Sequence, residues 1–238
     1  MPRFSILVTN RNHGKFLPQS LGSAIWQTFK DWELVFVDDS STDNSVAVFE
    51  KFRDFRMKLV RLKRKVGVGR AKRIAAEKAT GEIICVLDSD DAITRTALED
   101  IDEMYKMFPE VISVYTQHLI CDMNLIPVKY GRCGPVPSDK TYLDLLCGPP
   151  DERVLMSAMR TFKKSAYSMT EGYCALPKSV DKDIMLKIEE VGQCMFLNKA
   201  LYLYRYNPDG VSLGTSRNIS MKTTRQVVMD AKKRRGLV

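Results

Sequence analysis

Residues 83–91 read Ile83-Ile84-Cys85-Val86-Leu87-Asp88-Ser89-Asp90-Asp91, an apolar run that passes straight into three carboxylates within four positions. A short continuous apolar run closed by polar residues is the pattern of a buried strand. Carboxylates this crowded repel one another unless donors or a cation neutralise them. A hard divalent ion with oxygen ligands, Mn²⁺ or Mg²⁺, is the economical answer, because such ions take one or two carboxylates and complete their shell with substrate phosphates. The plainer alternative is that these aspartates cap a helix beginning near Thr94.

Upstream, the chain alternates between two periods. Phe4–Thr9, Glu33–Val37 and Met57–Leu62 are strand-like. Apolar residues at Phe16, Leu17, Leu21, Ala24 and Ile25, then at Val46, Phe49 and Phe52, follow a helical period, and Arg70–Thr80 reads as a helix closed by Gly81. Strands alternating with helices predict an α/β fold with a mostly parallel sheet flanked by helices. Ligands of such sheets bind beyond the carboxyl ends of the strands. Three polar clusters, Asn10–His13, Asp38–Asp43 and Asp88–Asp91, occupy those positions.

The second half is less regular. Leu98, Ile101, Tyr105 and Phe108 mark a helix, Val111–Tyr115 a strand, Asp181–Val191 a helix and Met195–Tyr204 a strand. Glycines and prolines crowd residues 130–153, which predicts a mobile loop. Residues 218–235 are compatible with a basic helix.

At 238 residues, 45% apolar and 28% charged, the chain is long enough for one large domain or two lobes sharing a core. No run approaches the ~18 apolar residues of a membrane span, and the start lacks a signal-peptide core. Six scattered cysteines without a C-x-x-C pair argue against a zinc site or a disulfide scaffold. A reduced, cytoplasmic protein is expected. The net charge of +8 is concentrated: residues 51–73 hold eleven basic residues and one acidic, residues 217–238 seven and one, and the remainder is net acidic. Such segments suit phosphate, nucleic acid or an anionic lipid surface at the inner membrane face, or are solvated helix faces.

The motifs together resemble glycosyltransferase family 2, the inverting nucleotide-sugar transferases of GT-A fold. Ser5–Asn12 is similar to the family's first strand and nucleotide loop, and Ser23-Ala24-Ile25-Trp26-Gln27-Thr28-Phe29 to its S-x-x-x-Q-T-[YF] segment. Val37-Asp38-Asp39-Ser40-Ser41-Thr42-Asp43 is close to V-D-D-G-S-T-D, and Ala79-Thr80-Gly81-Glu82 followed by Leu87–Asp91 matches A-x-G-E and L-D-x-D-D. Asp181–Ile188 resembles the [EQ]-D-x-[DE]-L-x-L-R-L helix, and Tyr204-Arg205 with Ser212 resembles Y-R-x-H-x-x-x-x-S. Lys72 stands where the family often has Arg, Arg11 where Tyr is common, Val180 before the expected base, and Asn207 in the His position.

The resemblance implies a GT-A (Rossmann-like) fold with a smaller acceptor lobe: residues 1–118 as the nucleotide-sugar half, 119–216 as the acceptor half and 217–238 as a basic tail. It implies transfer of a sugar from a nucleotide diphosphate, UDP as first expectation, to a glycan, lipid-linked or other hydroxyl acceptor in polysaccharide or glycoconjugate synthesis, without a nucleic-acid partner. Thr9, Arg11 and Asp39 would surround the base, Asp88 would lie near the ribose, and Ser89 would also bind the substrate. Lys72 would meet phosphate. Asp90, with Asp88, would bind Mn²⁺ or Mg²⁺, and Asp181 would be the general base, with Asp183 as its alternative. The rival readings are a catalytically degenerate nucleotide-binding homologue and a metal-dependent nucleotidyltransferase.

Overall fold

The computed structural model describes residues 1–149, 155–156, 158–207 and 217–238. The first half runs β1 (Phe4–Asn10), α1 (Leu17–Ile25), β2 (Trp32–Asp38), α2 (Ser45–Phe52), β3 (Met57–Arg61), α3 (Val68–Lys78) and β4 (Ile83–Asp88). It continues with β5 (Ala92–Ile93), α4 (Ala97–Met107), β6 (Ser113–Cys121), β7 (Pro127–Tyr130), α5 (Tyr142–Cys147), β8 (Thr161–Lys163) and α6 (Lys164–Ser168). The chain closes with α7 (Val180–Glu189), β9 (Cys194–Arg205) and α8 (Arg217–Arg234).

Among the described residues, one sheet orders its strands β3-β2-β1-β4-β8-β6-β9-β5, with β7 on β6. The first four are parallel. β8 enters antiparallel between β4 and β6, and β9 returns parallel to β6. Because β1 lies between β2 and β4, the chain leaves it in opposite directions, and a crevice opens at their carboxyl ends. The register pairs Asn10 with Asp38 and Thr9 with Asp88, so the three polar clusters begin side by side.

The strand period of two explains both cores. Phe4, Ile6, Val8, Leu34, Phe36, Ile83, Cys85 and Leu87 pack on one face beneath α1, α2 and α4. Leu7, Val35, Val37, Ile84 and Val86 pack on the other with α3, α5, α7 and α8. The small Ala71, Ala75 and Ala76 bring α3 close to the sheet. Gly81 is required between β1 and β4: a Cβ there would lie 2.8 Å from the Phe4 carbonyl carbon.

Two expectations change. The segment expected to be a mobile loop contains α5, whose Thr141–Asp144 capping box starts a helix that buries Tyr142, Leu143, Leu145 and Leu146. Residues 150–153 of that segment lie outside the described residues. The basic tail is a docked helix: Val227 and Ala231 are buried, and Arg234 and Arg235 pair with Glu190, just past the end of α7, and Glu189, its last residue. These two arginines are thus engaged by the protein itself.

Candidate active site

A cavity of about 480 Å³ lies at the carboxyl edge of β1, β2 and β4, with Pro177–Asp181 forming its opposite wall. Two left-handed residues, Asn12 (φ 56°) and Ser40 (φ 58°), turn the loops after β1 and β2 toward each other. The Asn12 side-chain oxygen accepts from the Thr42 N–H at 2.8 Å, and Ser41 Oγ accepts from the Asn12 N–H at 3.0 Å. Arg11 donates to the carbonyls of Asp39 and Ser40 at 2.5 and 2.9 Å. Asp39 in turn accepts the N–H groups of Val66 and Gly67 at 2.6 and 2.9 Å. Gly67 meets this demand at φ 89°, where a side chain would be strained. One loop is therefore laced to the next and to the start of α3.

The three carboxylates after β4 face three different environments. Asp91 is buried and accepts from Tyr202 Oη and the Arg205 N–H, each at 2.8 Å. Burial, with Asp90 and Asp88 nearby, pushes its carboxyl well above the ordinary range. Asp88 lies 3.0 Å from Lys72 Nζ and 3.4 Å from an Arg160 nitrogen. Asp90 borders the cavity, with His13 Nδ1 at 3.9 Å. Burial pushes the Asp90 carboxyl up; His13 opposes the rise and Asp88 adds to it. Ser89 Oγ is 2.9 Å from His13 Nδ1. Arg205 clasps this loop, donating from Nε to the Asp90 carbonyl at 2.6 Å while its guanidinium sits over the Phe16 ring. The Tyr-Arg motif thus supports the acidic loop, and Ser212, counted with it, lies outside the described residues.

Asp181 sits in the first turn of α7, after Ser179 at φ 57°. Its Oδ1 is 2.8 Å from Lys72 Nζ and 3.4 Å from Arg160. Burial favours its neutral form, but Arg160 and Lys72 outweigh burial and hold the carboxyl at about 2. Lys72 and Arg160 are themselves almost fully buried, with side chains 3% and 4% exposed. The same two carboxylates raise both cations against the burial that would lower them. Asp183 turns away and pairs with Lys187 at 2.9 Å, its side chain 4% exposed. The alternative base is thereby buried in a separate ion pair.

Thr9, Arg11, Asp39, Lys72, Asp88, Ser89, Asp90 and Asp181 all line this one cavity, as does Asn207. Two neighbours were not singled out as site residues. Arg160 carries no motif and stands in an irregular stretch, so only the fold reveals it. His13 had a signal, its place in the loop after β1. His118, the other histidine, lies elsewhere, 3.2 Å from Cys133 Sγ.

For a divalent cation the fit is partial and specific. No group of three or more Asp, Glu, His or Cys is gathered to hold a metal among the described residues. Among the described residues, Asp90 is nevertheless a cavity-lining carboxylate with no lysine or arginine at ion-pair distance, in a site flanked by cations. That suits an ion that takes one protein carboxylate and draws its other ligands from a polyphosphate and water.

Comparison with known proteins agrees with this architecture. The model of the family described as Glycosyl transferase family 2 matches residues 5–168. The chain is 28% identical over 206 residues to a chondroitin synthase of Escherichia coli, covering 85% of this chain and 29% of that one. It is 35% identical over 104 residues to the poly(ribitol-phosphate) β-N-acetylglucosaminyltransferase TarS of Staphylococcus aureus (strain Mu50), covering 42% of this chain and 18% of that one. The chain therefore spans about a third or less of these relatives. Its fold superposes on S. aureus TarS 1–349 in complex with UDP-GlcNAc with TM-score 0.77 at 20% identity, covering 96% of this chain and 66% of that one. It also superposes on a Pyrobaculum calidifontis mannosyltransferase in complex with GDP-Man and Mn²⁺, with TM-score 0.66 at 17% identity, covering 88% and 59%. The sheet is that of the GT-A structures, and the matched segment runs from β1 through the acidic loop to α6: the chain belongs to glycosyl transferase family 2.

Proposed function

We propose that the cavity binds a nucleotide-diphosphate sugar, UDP being the nucleotide, and that the sugar passes with inversion to an acceptor hydroxyl deprotonated by Asp181. One observation carries this reading: Asp181 and the acidic loop after β4, distant in sequence, line the same cavity. Thr9, Arg11 and Asp39 hold the base. Asp39 keeps lone pairs beyond those used by Val66 and Gly67, so it can accept a further N–H. Asp88 and Ser89 lie on the ribose side, and Lys72 faces the phosphates. Asp90 would hold Mn²⁺ or Mg²⁺, whereas Asp88, expected as a second ligand, is engaged by Lys72 and Arg160. The ion, when bound, supplies charge neutralisation of the leaving diphosphate. A positioned base contributes ~10²–10⁴-fold to such a transfer.

Relatives named for UDP-sugar chemistry and glycan synthesis support the donor class and a place in polysaccharide or glycoconjugate assembly. Residues 1–118 form the donor half and 119–216 the acceptor half, with α8 bracing α7. No described helix is long and apolar enough to cross a membrane. Peripheral contact with an anionic surface would rest on Lys232 and Lys233, since Arg234 and Arg235 are paired.

The test is Asp181→Asn, assayed with UDP-sugars and oligosaccharide acceptors. Retained UDP binding with sugar transfer lost supports the base role, whereas retained transfer contradicts it.

A further inference from the structure

Asp181 poses a problem for its own role. A carboxylate held by two cations is a weak base, and its Oδ1 is held at 2.8 Å by Lys72 and at 3.4 Å by Arg160. The two cations are not equivalent. Lys72 Nζ lies between Asp181 and Asp88 and borders the cavity, whereas Arg160 contacts the same two carboxylates without lining it. Asp181 itself is 36% exposed at the side chain, so water and an acceptor can reach it. An anion entering the cavity meets Lys72 in the wall.

We propose that Lys72 is a shared cation, holding Asp181 in the free protein and the donor diphosphate in the complex, so that Asp181 is released as a base only once the donor is bound. This rests on the reading of the cavity as a nucleotide-sugar site and of Asp181 as its base. A diphosphate presents several charged oxygens where the carboxylate presents two, so it competes for the ammonium even with a divalent ion bound. Arg160 remains between Asp88 and Asp181 and keeps the released carboxylate in place. The consequence is an order of events: the donor must bind before an acceptor hydroxyl can be deprotonated.

Removing the charge of Asp181 removes a competitor, so a site substitution should tighten donor binding. The experiment is calorimetric titration of UDP with excess Mn²⁺ into wild type, Asp181→Asn, Lys72→Met and the double variant, each checked for folding by circular dichroism. Asp181→Asn is expected to bind UDP about 3- to 10-fold more tightly, in the range of a partly exposed ion pair. In the Lys72→Met background that gain should largely disappear, and Lys72→Arg, which keeps the cation, should restore it. Equal or weaker UDP binding by Asp181→Asn would overturn the proposal. So would the same gain in the Lys72→Met background, which would indicate simple charge repulsion. Failure of wild type to bind UDP would instead refute the underlying UDP-sugar reading and the proposal with it.

Discussion

The backbone N–H of Arg205 donates to Asp91 Oδ1 at 2.8 Å, binding the end of β9 to the acidic loop after β4. Tyr202 Oη donates to the other oxygen at 2.8 Å, which leaves Asp91 fully engaged in structure. Its neighbours are free for other work: Asp88 meets the buried cations, and Asp90 faces the cavity. Adjacent carboxylates with separate tasks should separate under mutation.

Asp91→Ala would leave the Arg205 N–H and the Tyr202 hydroxyl buried without their acceptor. We expect a loss of about 2–4 kcal/mol in chemical denaturation, the cost of stranding two buried donors. Asp90→Ala should unfold at nearly the wild-type denaturant concentration, yet lose about 10- to 100-fold in Mn²⁺-supported UDP affinity, the scale on which metal sites respond to lost support. Equal destabilisation by both would refute the division.

Glu33 gives a pH-dependent stability. Burial alone would push its carboxyl up, but hydrogen bonds from Lys58, Ser5 and Thr80 outweigh burial and hold it at about 2, against an ordinary 4.5. The folded carboxyl loses its proton at lower pH than the unfolded one, so its stabilisation is complete above pH 4.5 and fades as pH falls toward 2. Between pH 7 and pH 3 the wild type should lose on the order of 2 kcal/mol more than Glu33→Gln. Parallel stability–pH curves would contradict this.

Helix α8 should behave as part of the fold. Val227 is buried against the second core, so Val227→Ala should cost roughly 1–2 kcal/mol through lost burial and a residual cavity. An unchanged melting temperature would return α8 to the status of a solvated tail.

The first half of the fold was legible because each strand alternates between two cores and each helix carries one apolar face, as Leu17, Leu21 and Ala24 do on α1. The loop ends Asn10, Asp38 and Asp88 followed from the strand order alone. The second half was not. Thr161–Lys163 is too short to show a period, and the glycines and prolines around α5 hid a helix whose start is set by one capping box. Asp181 was legible through its motif, but its partner Arg160 was not, because a lone arginine reads as surface until the sheet buries it. The basic tail misled for the converse reason: its cations find Glu189 and Glu190 only once α7 and α8 pack.

The central claim is a metal-assisted nucleotide-sugar site, and calorimetric titration of UDP, GDP, CDP and dTDP, each with and without Mn²⁺, tests it most directly. The account predicts that UDP binds and that its affinity depends on the ion. Failure of every nucleotide to bind in a metal-dependent way would contradict it and leave Asp88, Ser89, Asp90 and Asp91 as a structural loop.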